Sequence, residues 1–249
     1  RGYSAGIVAG KQSRAYISQL GMKAEAIFQP WDVVNNQLFA QLAAGQTAEL
    51  PSNLERPFLC VGRFIPEKNH ALLLQAFSSY QMNGGRRFLL LVGHGPLEHE
   101  IRRACQQLPR PQAVRVAPFV ELEKLACHYG RSHALVLASR KDTWALVVNE
   151  AMAAGLPVIV SDACGCTNDL VIHNKTGLAF RSNDLDSLSE LLHFSDLQSA
   201  NDRQSMIASA KERVSMFDVK DFALALEKSC EYALSVGKSS TRSRVIAWA

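Results

Sequence analysis

The sequence predicts a doubly wound α/β fold, a mostly parallel sheet with helices on both faces and further helices toward the C-terminus. Three observations carry this. From Pro57 onward, short apolar runs alternate with helical patterns. The runs are apolar at nearly every position, as expected of strands covered on both faces by helices. The connections between them are short, which favours strand–helix–strand units over separate layers. The 249 residues, 47% of them hydrophobic, are ample for a packed core.

In chain order, GIVAG reads as a strand, QSRAYISQLG as a helix and AIFQP as another strand. LAAGQTAELPSNLER is polar and turn-rich and reads as a linker. Residues 1–52 are therefore expected to be the end of a preceding domain plus linker, too short for a core of their own. The chain opens at Arg1 without Met, so an upstream portion is expected. Residues 53–236 then form one unit. PFLCVG (57–62), RFLLLVG (87–93), AVRVAPF (113–119), HALVLAS (133–139) and PVIVSD (157–162) are strands. The helices between them cover 68–80, 96–108, 120–130 and 143–155. A short strand, GLAF, precedes helices near 184–194, 199–215 and 218–235. The tail, 237–249, is polar and then apolar and takes no assignment.

The net charge of +4 is mild, and the basic residues are not interleaved with aromatics, which argues against nucleic acid as partner. A local basic patch for a phosphate-bearing ligand stays open. No apolar run approaches the roughly 20 residues a membrane span requires. Cys164 and Cys166 have a poor spacing for structural zinc, and most of the six cysteines lie in apolar runs. Reduced thiols in a cytoplasmic chain are expected, with peripheral association at a membrane left open.

Ligands of open α/β sheets bind beyond the carboxyl ends of the strands, so the loops there carry the chemistry. GRFIPEKNH places Arg63 and Lys68 near one helix start, where two cations suit a diphosphate; pairing of either with Glu67 is the plainer alternative. GHGP gives a turn whose backbone can come close to a ligand at Gly93 and Gly95, with Pro96 starting a helix; an ordinary strand-to-helix turn is the plainer alternative. A single Gly follows the first strand, which disfavours dinucleotide binding and an oxidoreductase. The seven histidines are scattered, and only His94 lies on the rim.

KDTWALVVNEAMAAG sets Asp142 and Glu150 with seven residues between them. Asp142 or Thr143 could simply cap the helix. Glu150 lies on a largely apolar helix, where an unpartnered carboxylate is costly; sugar or ribose hydroxyls, or an Arg, would satisfy it. The N–H groups of Ala145, Leu146 and Val147 at the helix start could receive phosphate. Trp144 and Leu146 are expected to be core contacts. Cys164 and Cys166 are expected to pack a loop rather than do redox work.

Taken in order, VGRFIPEKNHALLLQAF, LLVGHGPLE and SRKDTWALVVNEAMAAGLPVIVSDACG resemble the donor-binding domain of retaining GT-B glycosyltransferases of the family 4 type. The likeness covers about Pro57 to Phe180 well and the helices to about Val236 loosely; the first fifty residues resemble the end of that family's N-terminal domain. The resemblance implies a Rossmann-like donor domain, the C-terminal half of a GT-B fold. It implies that Arg63 and Lys68 contact the donor diphosphate, that Asp142 holds sugar hydroxyls and that Glu150 holds ribose hydroxyls. Gly62, Gly93, His94, Gly95 and Thr143 would lie near the donor, with Phe119 and Val120 near the base. Ala145, Leu146 and Val147 would offer backbone donors. The family commonly has Gly where Ala145 stands, so a positive φ there would cost about 1 kcal/mol.

The implied activity is transfer of a sugar from a nucleotide-diphosphate sugar to an acceptor hydroxyl with retention. It needs no cofactor and no metal, since the cations replace one, and no acid cluster resembles D-x-D. The acceptor would be a glycan, lipid or small molecule. Acceptor site and catalytic His would come from an N-terminal domain, so the chain alone is expected to transfer poorly. The alternative is a non-catalytic nucleotide-sugar binding module acting with a partner domain.

Overall fold

The computed structural model describes residues 3–47, 56–237 and 244–247. Six parallel strands form the main sheet: β3 (Phe58–Val61), β4 (Leu89–Val92), β5 (Val114–Ala117), β6 (Ala134–Leu137), β7 (Val158–Ser161) and β8 (Leu178–Phe180). Their order across the sheet is β5-β4-β3-β6-β7-β8. Phe58 lies opposite both Leu89 and Ala134, and Leu135 opposite Val158. Every residue of β3, β6 and β7 is buried, whereas the edge strand β5 is half-exposed. The apolar runs thus mark the centre of the sheet.

Between the strands run α3 (His70–Met82), α4 (Glu98–Gln106), α5 (Leu122–Arg131) and α6 (Leu146–Ala153). The short α7 (Thr167–Leu170) follows β7, and α8 (Leu185–Leu197), α9 (Ala200–Val214) and α10 (Val219–Gly237) follow β8. α3 packs on α4 and α8, and α6 packs on α9, so the two groups cover opposite faces. The chain winds outward from β3 to β5, then crosses back to lay β6 on the other side of β3. The order reverses between β3 and β6, which opens a crevice at their carboxyl ends.

The N-terminal segment supplies β1 (Tyr3–Ile7), α1 (Lys11–Gln19), β2 (Ile27–Phe28) and α2 (Asn36–Thr47). Here the structure departs from the expected linker. α2 runs through LAAGQT because Phe39 and Ala43, one turn apart, are buried against α5 and α6. Residues 48–55, the rest of the expected linker, lie outside the described residues. β1 pairs in parallel with β2 and with β9 (Arg244–Ala247), which is how part of the unassigned tail is used. α10 packs on β1 and β2, and the Lys11 N–H donates to Asp169 Oδ2 at 3.0 Å, tying α1 to α7. Gly10 is required there: a Cβ would lie 2.5 Å from Asp169 and 2.6 Å from the Trp144 ring.

Candidate nucleotide-sugar site

The crevice is built by loops leaving β3 and β6. After Gly62, Arg63 is exposed, and its side chain makes no hydrogen bond or ion pair among the described residues. A 3-10 turn at Pro66–Lys68 then brings Lys68 back across the crevice, where its Nζ pairs with Asp142 Oδ2. The two side chains keep only 18% and 10% of their exposure, so the pair is largely desolvated. Neither cation pairs with Glu67, the plainer alternative. Glu67 contributes its carbonyl instead, which accepts from the Arg140 N–H at 2.7 Å and fastens the two loops together.

Gly93 and Gly95 admit a neighbouring loop rather than standing open. A Cβ at Gly93 would lie 1.9 Å from the Gly62 carbonyl oxygen, and one at Gly95 2.6 Å from that of Phe64. The Phe64 N–H donates to the His94 carbonyl at 2.8 Å, and the Leu97 N–H to that of Phe64 at 3.0 Å. Pro96 precedes rather than starts the helix, since α4 begins at Glu98. His94 is exposed and meets Phe119 edge to face, ring centroids 6.2 Å apart. Phe119 is 63% exposed, an aromatic face at the rim, while the neighbouring Val120 packs on the core.

The start of α6 differs from expectation. Asp142 and Thr143 do not cap it. The Asp142 N–H donates to the Ala163 carbonyl at 3.1 Å, and the Gly165 N–H to the Asp142 carbonyl at 3.0 Å, so this stretch pairs with the loop after β7. A Cβ at Gly165 would lie 1.9 Å from the Thr143 carbonyl oxygen, so only glycine permits the pairing. Ala145 then takes the left-handed conformation, φ 78° and ψ 66°, and the helix begins at Leu146. The N–H groups of Ala145, Leu146 and Val147 find no acceptor among the described residues. Trp144 is a core residue whose indole N–H donates to Asn149 at 2.9 Å. Leu146, expected in the core, is 39% exposed at the mouth.

Glu150 is half-buried, and its partner is neither an Arg nor an outside hydroxyl. Its Oε2 accepts from the Tyr129 hydroxyl of α5 at 2.6 Å. Burial pushes the Glu150 carboxyl up, and the Tyr129 hydrogen bond draws it part of the way back. Tyr129 is fully buried, and desolvation together with the adjacent carboxylate raises its phenol well above the ordinary value.

Three contributors escape sequence reasoning. Tyr129 reads there as one more apolar-face residue of α5. Asp32 belongs to the N-terminal segment, yet its carboxyl feels the site: burial and then the charge of Asp142 push it up. Its neighbours hold it: Trp31 packs edge-on against Phe222 at 5.3 Å, and Val34 bridges to Asp218. The loop after β8 adds Asn183, whose Oδ1 accepts from Asn69 at 3.3 Å and Arg140 at 3.1 Å.

Among the described residues, no three His, Cys, Asp or Glu side chains are placed to hold a metal ion, and no helix is long and apolar enough to cross a membrane. All six cysteines are free thiols; burial pushes Cys60 up to about 12 and Cys164 up to about 11, which leaves both protonated. A hollow of about 740 Å³ at the α8–α9 junction, lined by Phe194, Leu197 and Met206 among others, shares no residue with the rim.

The family model for glycosyl transferases group 1 matches residues 47–213, more than half of the chain. The chain belongs to this family. Within the group 1 glycosyltransferases, it is similar to the GDP-mannose-dependent alpha-(1-6)-phosphatidylinositol monomannoside mannosyltransferase of Mycobacterium tuberculosis, 27% identical over 144 residues, 55% of this chain and 37% of that one. A GDP-mannose-dependent alpha-mannosyltransferase of the same organism is 36% identical over 118 residues, 47% of this chain and 28% of that one. The matched stretches thus span well under half the length of these relatives. Sucrose-phosphate synthase of Thermosynechococcus elongatus superposes with a TM-score of 0.74 at 26% identity, over 92% of this chain and 58% of that one. HepE of Anabaena, solved with UDP and glucose, shares the fold at 16% identity, with a TM-score of 0.72 over 94% of this chain and 63% of that one.

Proposed function

We propose that this group 1 glycosyltransferase chain binds a nucleotide-diphosphate sugar across the β3–β6 crevice and serves transfer of the sugar to an acceptor hydroxyl, with retention and without a metal. The observation that carries the reading is the Lys68–Asp142 pair spanning the crevice, beside the unpaired Arg63 and the acceptor-free N–H groups that open α6. Cations and a helix tip converge there on one place for a diphosphate.

The chemistry follows from these groups. The diphosphate lies between Arg63, Lys68 and the N–H groups of Ala145, Leu146 and Val147. As phosphate takes up the Lys68 ammonium, Asp142 is released to accept from hydroxyls of the donor sugar. Glu150 accepts from a ribose hydroxyl, and the base lies toward the Phe119 face. The acceptor oxygen bonds to the anomeric carbon on the side from which the phosphate departs. The C–O bond to phosphate breaks, and the departing oxygen takes the acceptor proton. Arg63 and Lys68 stabilise the charge growing on the leaving group, which is the work a divalent ion would otherwise do.

A thermal-shift panel of UDP, GDP and ADP sugars tests binding and names the base. A donor at about 100 times its Kd adds about 2.7 kcal/mol of stability. Transfer is then followed with chelator present. Loss of turnover restored by a divalent ion overturns the metal-free reading. Lys68→Ala is expected to lower turnover more than donor affinity, and an unchanged rate removes Lys68 from the mechanism.

A further inference from the structure

The Glu150–Tyr129 contact goes beyond a satisfied buried carboxylate. We propose that Tyr129 is a positioning residue for Glu150: its hydroxyl fixes the carboxylate and occupies Oε2, leaving Oε1 to accept from the ribose. This rests on the reading of the crevice as a nucleotide-sugar site.

The argument starts from the energetics of Glu150. On a half-buried helix turn, a carboxylate loses hydration and drifts toward the neutral acid, a weaker acceptor that also has a proton of its own to place. The structure counters this with one donor. The Tyr129 hydroxyl lies 2.6 Å from Oε2, and this bond favours the charged form. A phenol is suited to the task. With its own ionisation driven far up by burial, it remains a donor over the whole working pH range. Oε1 is not among the buried side-chain atoms left without a partner, and it is the oxygen assigned to the ribose.

Tyr129 is itself held from the other side. Phe39 of α2 packs on its ring with centroids 6.2 Å apart. The next residue, Gly130, lets α2 settle so closely that a Cβ there would lie 2.6 Å from the Ala43 carbonyl oxygen. The hydroxyl therefore cannot swing away from Glu150 without moving α2. The chain of contact runs Phe39–Tyr129–Glu150, from the N-terminal segment to the crevice.

The test uses the full chain, Tyr129→Phe, Glu150→Gln and the double variant, with two readouts. The first needs no ligand. A carboxyl raised in the folded state stabilises the fold at low pH, and that contribution is lost as pH rises through its folded value. Removing the Tyr129 hydroxyl raises it further. The shift in urea midpoint caused by Tyr129→Phe is therefore expected to be larger at pH 8 than at pH 5, and to lose its pH dependence in the Glu150→Gln background. A pH-independent shift, the same in both backgrounds, makes Tyr129 a packing residue and overturns the proposal.

The second readout is calorimetric binding of UDP, GDP and ADP and of their 2′,3′-dideoxy analogues. Tyr129→Phe is expected to weaken the ribonucleotide that binds by about ten-fold, the scale of one hydrogen bond to a charged group. The dideoxy analogue is expected to change much less. Equal loss for both analogues overturns the assignment of Oε1 to the ribose. If none of UDP, GDP and ADP binds the unsubstituted chain, the site reading and the ligand half of the proposal fall together. The unfolding readout then decides the Tyr129–Glu150 half alone.

Discussion

Asp142→Asn separates what holds the crevice together from what holds its ligand. In the unliganded protein Asp142 neutralises Lys68, and the two side chains retain 10% and 18% of their exposure. Exposed pairs contribute about 0.2–1 kcal/mol, whereas breaking a buried one costs about 3–5 kcal/mol. The residual exposure puts this pair between the two, so the substitution is expected to cost about 2 kcal/mol. For a chain of this size that is a fall in Tm of roughly 4–8 °C. Nucleotide affinity is expected to move the other way. The ammonium no longer has to leave a carboxylate before it meets phosphate, and UDP or GDP should bind about ten-fold more tightly, about 1.4 kcal/mol. Calorimetric titration and thermal unfolding at about 0.15 M salt read both effects, with screening held fixed. Stability and nucleotide affinity falling together would refute the reasoning, since Asp142 would then be supporting the site rather than competing for Lys68.

Other substitutions probe the same crevice. Ala145→Val should cost about 2 kcal/mol more than Ala145→Gly in chemical denaturation, because φ 78° is strained for any residue with a Cβ and worst for a branched one. Glycine itself should stay within about 1 kcal/mol of the parent, relief of strain being offset by chain entropy and a lost buried methyl. Asp32→Asn should tighten binding of UDP or GDP about three-fold at pH 8, since it removes a negative charge that interacts with that of Asp142; unchanged affinity would remove Asp32 from the site. His70 is buried against Phe64, both its ring nitrogens lack a partner among the described residues, and burial lowers it to about 4. The unfolded chain then takes up a proton that the folded one refuses. Stability should fall on acidification from about pH 6.5 toward 4, by up to about 1.4 kcal/mol per pH unit from this group, and His70→Leu should flatten that slope in urea titrations.

The sheet was legible because its central strands are buried on both faces, so Phe58–Val61, Ala134–Leu137 and Val158–Ser161 are apolar without interruption. Their alternation with helices also placed Lys68 and Asp142 on one rim, where the structure pairs them. The start of α6 was not legible. Thr, Trp and Ala all tolerate a helix, and nothing local to DTWA shows that its backbone is engaged by Ala163–Cys166. The linker reading fails over its first part because α2 takes its stability from burial of Phe39 and Ala43 on α5, a tertiary contact that the local sequence does not show. Gly93 and Gly95 are expected from sequence to let a ligand come close, whereas in the fold the group that needs their missing Cβ is the Gly62–Phe64 backbone, which no local pattern shows. Asp32 and Tyr129 were silent for a related reason. Each gains its role from a residue more than twenty positions away.

The claim on which the rest stands is that one diphosphate lies at the reversal point between β3 and β6. A crystal structure with UDP, GDP or ADP bound, whichever the thermal-shift panel selects, tests it most directly. The account predicts phosphate oxygens within hydrogen-bond distance of Arg63, Lys68 and the N–H groups opening α6, with Lys68 turned away from Asp142 and a ribose hydroxyl on Glu150 Oε1. A nucleotide seated elsewhere, with the Lys68–Asp142 pair intact and Arg63 free, would contradict it.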